Sequence, residues 1–136
     1  MRAFSLLILS SLAVAGCANT PREPTERERK VAAELAEAKP VGEPINCINL
    51  RSIRDSDVRS DQVIDFRMNG GQVYRSTLPN SCPQLGFERA FSYATSLSQL
   101  CSTDIITVIV QAGGPRRGAS CGLGQFQQVE IPKKKD

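Results

Sequence analysis

At 136 residues, with 17 Lys or Arg against 14 Asp or Glu, the chain has room for one small domain and a formal charge of only +3, too mild to point to nucleic acid. It contains no histidine and no tryptophan. The missing histidines exclude His general bases, Ser-His and Cys-His nucleophile pairs and the usual His-bearing zinc sites.

Met1-Arg2 gives a positive start, and Ala3 to Ala15 is an apolar stretch of 13 residues broken only by serines. That is too short for roughly 30 Å of hydrocarbon and suits a signal-peptide core, so residues 1–16 read as a targeting segment. The alternative, a buried N-terminal helix, finds nothing to pack against in the polar, Pro-rich stretch that follows. Val14-Ala15-Gly16-Cys17 resembles the lipobox of bacterial lipoproteins: an aliphatic residue, two small residues, then a cysteine whose thiol receives a diacylglycerol. A lipid on Cys17 would hold the chain to a membrane with about 0.8 kcal/mol per buried methylene. Ala18 stands where inner-membrane lipoproteins carry a retention aspartate, so the resemblance implies an outer-membrane anchor facing the periplasm.

Residues 17–45 read as the lipidated cysteine and a tether, punctuated by Pro21, Pro24, Pro40 and Pro44, with five basic and six acidic residues. Within it, Thr25 to Lys39 has the marks of a marginal helix: a Thr25/Glu28 capping box and Glu26–Lys30 and Lys30–Glu34 pairs at i, i+4. Its apolar face is only Val31, Leu35 and Ala38. A solvated spacer and a docking helix for an envelope partner are both compatible with this pattern.

Residues 46–132 carry the domain. "CINLRSI" is expected to form a strand. "QVIDFRMNGGQVYRSTL" predicts a hairpin, with Ile64, Phe66 and Met68 on one face, a turn using positive φ at Asn69-Gly70, and a return strand from Gln72 to Leu78. "LGFERAFSYATS" is read as a strand from the alternation of Phe87, Arg89, Phe91 and Tyr93, with a helical turn near Ser96 to Leu100 as the alternative. "DIITVIV", Asp104 to Val110, is read as a central strand buried on both faces, and "CGLGQFQQVEI" as a last strand. The expected fold is mainly β, an antiparallel meander of five to six strands closing into a partly open barrel. Residues 133–136, "KKKD", form a basic tail.

Assigning Cys17 to a lipid leaves Cys47, Cys82, Cys101 and Cys121. An even number in an oxidising compartment reads as two disulfides with three possible connectivities, and the wide spacings do not suit a zinc ribbon or a CxxC redox site. Cys82 and Cys121 both sit at loop-to-strand entries, while Cys47 opens a strand and Cys101 precedes one. Cys82–Cys121 and Cys47–Cys101 are therefore the expected pairs.

Chemistry-bearing motifs are few. "QAGGPRRGASCGLGQ" lacks the GK[ST] ending of a P-loop and the third glycine of a dinucleotide fingerprint. It reads as a loop with Arg116-Arg117 at its tip, with anion or glycan contact as the functional alternative. "RDSDVRSD" clusters Asp55, Asp57 and Asp61, but Arg59, Ser60 and Phe66 stand where a calcium loop needs an oxygen ligand, glycine and glutamate. Asp65 and Glu88 flank aromatics, as a glycosidase carboxylate pair would, with little aromatic material to wall a cleft. No catalytic residue, metal site or cofactor is expected.

The blocks "CINLRSI", "IDFRMNGGQVYRSTLP", "SCPQLGFE", "YATS", "LCSTDIITV" and "SCGLGQF" resemble, in that order, a small bacterial lipoprotein family catalogued as domain of unknown function 6491. The resemblance spans residues 46–132 and implies export to the envelope and a compact β domain; it brings no activity. The expected protein is a non-enzymatic envelope component that binds another envelope protein or a cell-wall polymer. Arg51, Arg54, Arg67, Arg75, Arg116 and Arg117 are its candidate contact surface. A periplasmic inhibitor or a small-ligand or glycan binder is the alternative.

Overall fold

A computed structural model describes residues 22–95 and 97–132. The signal-like segment, Cys17 and the basic tail lie outside the described residues. Among those described, ten strands form three antiparallel sheets, which matches the mainly β expectation but exceeds its strand count.

The first element is the helix α1 (Glu26–Glu37), begun by the capping box read from the sequence: Thr25 Oγ1 accepts from the Glu28 amide, and the Glu28 carboxylate accepts from the Thr25 amide. The chain then runs directly into β1 (Lys39–Ile45), a strand where the sequence suggested the end of a tether. Its prolines are tolerated because β1 is an edge strand, paired only with the last strand. β2 (Cys47–Asn49) and a single 3-10 turn (Leu50–Ser52) lead to β3 (Ile53–Val58), so "CINLRSI" is divided between two sheets.

β4 (Val63–Met68) and β5 (Val73–Thr77) are the predicted hairpin. Its positive φ falls on Gly71, at 86°, and not on Asn69 or Gly70. The Gly71 amide donates to Met68 O at 2.9 Å and the Met68 amide to Gln72 O at 2.8 Å, the pattern of a turn closed by a glycine bulge. α2 (Leu85–Glu88) is a single helical turn where a continuous strand was expected. Gln84 and Arg89, both at positive φ, bracket it, and Leu85 is driven fully into the core.

β6 (Phe91–Tyr93) and β7 (Gln99–Cys101) are short; β8 (Ile105–Val110), β9 (Arg116–Gly122) and β10 (Phe126–Glu130) complete the chain. β8 is the centre of the sheet β6-β8-β9, yet only one of its faces is buried: Ile106, Val108 and Val110 point inward while Ile105 is 56% exposed. The largest sheet has the order β1-β10-β5-β4-β3, and β2 pairs with β7. The C-terminal strand thus enters between β1 and β5, so the topology is not a simple meander, and the sheets do not close into a barrel.

The core lies where the sheets meet, around Ile64, Phe66, Leu85, Leu100, Ile106 and Phe126. Phe66 meets Phe126 edge-on at 5.6 Å between ring centroids. Both expected disulfides are present. Cys47–Cys101 joins residues directly opposite each other on β2 and β7. Cys82–Cys121 ties the segment after β5 to β9, linking the large sheet to the three-stranded one through a fully buried Cys82.

Between β9 and β10 the chain crosses close over β5. The Gly124 amide donates to Ser76 Oγ at 3.1 Å, and that hydroxyl donates to Gly124 O at 3.0 Å. A Cβ on Gly124 would stand 1.9 Å from Thr77 O, so only glycine fits. Gly124→Ala is expected to cost about 2–3 kcal/mol or more of stability, read from urea unfolding midpoints. Breaking either disulfide by a paired Cys→Ala change is expected to cost about 2–4 kcal/mol in the same measurement.

Candidate functional site

The alternation that sends Ile64, Phe66 and Met68 into the core puts Asp65 and Arg67 on the opposite face of β4. Strand register then aligns Asp57, Asp65, Arg75 and Gln127 in one row across β3, β4, β5 and β10. Two carboxylates and an arginine are thereby set side by side on what would be the solvent face of the sheet. α1 lies over that row, and Asp65 is only 1% exposed.

Burying a carboxylate demands a paired charge. Arg75 meets Asp65 with two parallel hydrogen bonds, Nε to Oδ1 at 2.7 Å and Nη2 to Oδ2 at 3.0 Å. The remaining Nη1 of Arg75 donates to Leu35 O on α1 at 3.1 Å. Arg59, just beyond β3, donates through Nη2 to Glu34 of α1 and through Nη1 to Asp57 at 3.0 Å. Asp57 is the hub: it also accepts from Arg89 at 2.8 Å and from Arg67 at 3.4 Å. α1 buries no residue completely, and these two arginine contacts, with half-buried Val31 and Leu35, help fasten it. The buried Nε atoms of Arg59 and Arg67 have no hydrogen-bond partner.

Burial pushes the Asp57 carboxyl up, but hydrogen bonds from Arg59 and Arg89 and the charges of both outweigh it and hold it below its ordinary value of 3.8. For Arg59, burial acts to lower the value, and the bonds to Asp57 and Glu34 more than reverse it.

An open cleft of about 900 Å3 runs beside the network, between α1 and the β4–β5 hairpin. Glu34 and Glu37 line one side, and Arg67, Gln72, Val73 and Gln128 the other. It has polar groups of both signs, and the arginines that reach it are already engaged by carboxylates.

The six arginines singled out in the sequence differ in exposure and pairing. Arg75, with 12% of its side chain exposed, is locked to Asp65 and offers no free guanidinium, which corrects its reading as an exposed strand-edge contact. Arg67 is 40% exposed and held by Asp57. Arg51 and Arg54 are exposed, on the 3-10 turn and β3. Arg116 and Arg117 are exposed too, but they open β9 opposite Val110 and Ile109 instead of forming a loop tip.

The acidic cluster also separates into structural roles. Asp55 accepts from the Ser56 amide, Asp57 gathers arginines, and Asp61 accepts from the Gly86 amide at 2.7 Å. Asp65 and Glu88 do not act as a pair, since Glu88 accepts from the Gln111 amide instead. Sequence reading missed Arg59, Arg89 and Glu34 as members of a network. The hairpin held part of the signal, since its register alone sets Arg75 opposite Asp65.

Asp65→Ala, which leaves Arg75 without its partner, is expected to cost about 3–5 kcal/mol in urea unfolding at neutral pH. A carboxyl held low in the fold stabilises it above the unfolded pKa, and that contribution disappears as pH falls through the lowered folded value. Wild-type stability is therefore expected to fall below about pH 4. Asp57→Asn should be less stable than wild type at pH 7 and lose less on acidification, as measured by unfolding midpoints at pH 7 and pH 3.

No curated protein and no solved structure matches the chain. A family model does match, over residues 1–135, and so takes in the apolar start and α1 as well as the strands. The chain belongs to this family, a family of unknown function (DUF6491).

Proposed function

We propose that the chain is a bacterial lipoprotein, anchored through Cys17 in the outer membrane and facing the periplasm, where it serves as a non-enzymatic binding or structural component of the envelope. The observation that carries this reading is Val14-Ala15-Gly16-Cys17 at the end of a 13-residue apolar stretch. The cysteine count supports it: four of five cysteines pair in two disulfides, as an oxidising compartment allows, and Cys17 is the one left for a lipid. Among the described residues no helix is long and apolar enough to cross a membrane. The exposed arginines Arg51, Arg54, Arg116 and Arg117 are the contact residues in this reading, toward an envelope protein or a cell-wall polymer.

The cleft beside α1 favours a second reading, a binder of small ligands or glycans acting on envelope polymers or hydrolases. Its mixed lining of carboxylates, amides and Arg67 suits a polar, hydrogen-bonding ligand.

Labelling with radioactive palmitate in a bacterial host should mark the protein and find it in the membrane fraction. Cys17→Ser should abolish the label. Label that persists in the variant, or an unlabelled wild-type protein, overturns the anchor.

A further inference from the structure

Arg27, Lys30, Val31 and Glu34 recur at helical spacing along one face of α1. With Val58, Arg59 and Arg89 they line a crevice of about 230 Å3, on the side of α1 where Arg59 grips Glu34. That is room for about seven waters at roughly 30 Å3 each, enough for one tetrahedral anion and a few of its waters.

The charges in and around the crevice do not balance. The crevice is lined by four cations, Arg27, Lys30, Arg59 and Arg89, and one carboxylate, Glu34, with Asp57 behind it bonded to Arg59 and Arg89. Among the described residues no carboxylate lies within ion-pair distance of Arg27 or Lys30. Arg59 Nε is fully buried, makes no hydrogen bond and lies 4.0 Å from Asp65 Oδ2, so it adds positive charge behind the crevice without being open to it. Arg89 uses only Nη2 on Asp57, and its side chain is 46% exposed, so its other donors are open to a ligand.

We infer that this crevice is a phosphate site, taking a free phosphate or the phosphate of a lipid headgroup. A dianion with several acceptor oxygens answers a charge surplus that comes from two walls at once, where a single planar carboxylate would leave part of it unmatched. Half of the site belongs to α1 and half to the β domain, so a bound phosphate clamps the helix to the sheet. The site does not depend on a lipid at Cys17.

The test is a titration of the full chain in non-ionic detergent with sodium phosphate, at constant ionic strength balanced by sodium chloride. The arginine Nε–H resonances of Arg59 and Arg89 are followed by NMR. A saturable shift is expected with phosphate and none with chloride. Dihexanoyl phosphatidic acid distinguishes the two sources: tighter binding than inorganic phosphate assigns the site to a headgroup, and equal or weaker binding assigns it to the free anion. Arg27→Gln combined with Lys30→Gln, both exposed and harmless to the core, should weaken binding about tenfold or more. Arg116→Gln with Arg117→Gln, an equal loss of charge elsewhere, should leave it unchanged. Absence of a saturable shift with either probe, or equal weakening by both double variants, overturns the site.

Discussion

A carboxylate placed on the outer face of a sheet and then covered must be neutralised where it stands, and Asp65 is that carboxylate. Its partner Arg75 is in turn the residue that reaches up to the backbone of α1. The helix therefore rests on the sheet chiefly because a buried charge pair presents a donor to it, with half-buried Val31 and Leu35 as its modest apolar share. This inverts the usual arrangement for an amphipathic surface helix, whose stability comes from the stripe it buries. The attachment is polar, directional and specific in register, and it places Glu34 within reach of Arg59.

The network divides the molecule into two kinds of interior. Beneath the large sheet, Phe66, Phe126 and Ile106 make a conventional apolar core closed by a disulfide that links two sheets. Above it, the interior between α1 and the sheet is ionic, with buried donors that lack acceptors and open clefts on both sides of the helix. The first kind is tightly filled, and at Gly124 it tolerates no added atom. The second has room and uncommitted hydrogen-bonding capacity, which is where a ligand gains most from entering.

Much of the first kind was legible in the sequence and little of the second. Alternation and Asn69-Gly70 marked the β4–β5 hairpin, and the placement of cysteines against strand entries indicated the pairing. The shortfall in strand count comes from β1, β3, β7 and β9: β7 spans only three residues and is too short to show a period of two, most of β3 lies in the charged stretch RDSDVRSD, and β9 lies in the glycine-rich stretch read as a loop. β1 was hidden by Pro40, Gly42 and Pro44, residues an edge strand accepts and a central one does not. The charged site was obscure for another reason. Glu34, Arg59 and Arg89 are brought together by three separate elements, and no local spacing encodes that meeting.

The insertion of β10 between β1 and β5 also constrains the order of events in folding. Lys39 ends beside Glu130, and Arg75 beside Gln127, so neither neighbour of β10 has its final partner until the last strand has been delivered. A chain emerging from its N-terminus, through a ribosome or a membrane pore, can form the β3–β4–β5 meander early but must leave β1 unpaired, with α1 attached to it. Closing so distant a pairing is slow by its entropy alone. The carboxylates and arginines that seat the helix are thus in place on the meander early, while the strand that follows the helix is fixed last, after the rest of the chain has arrived.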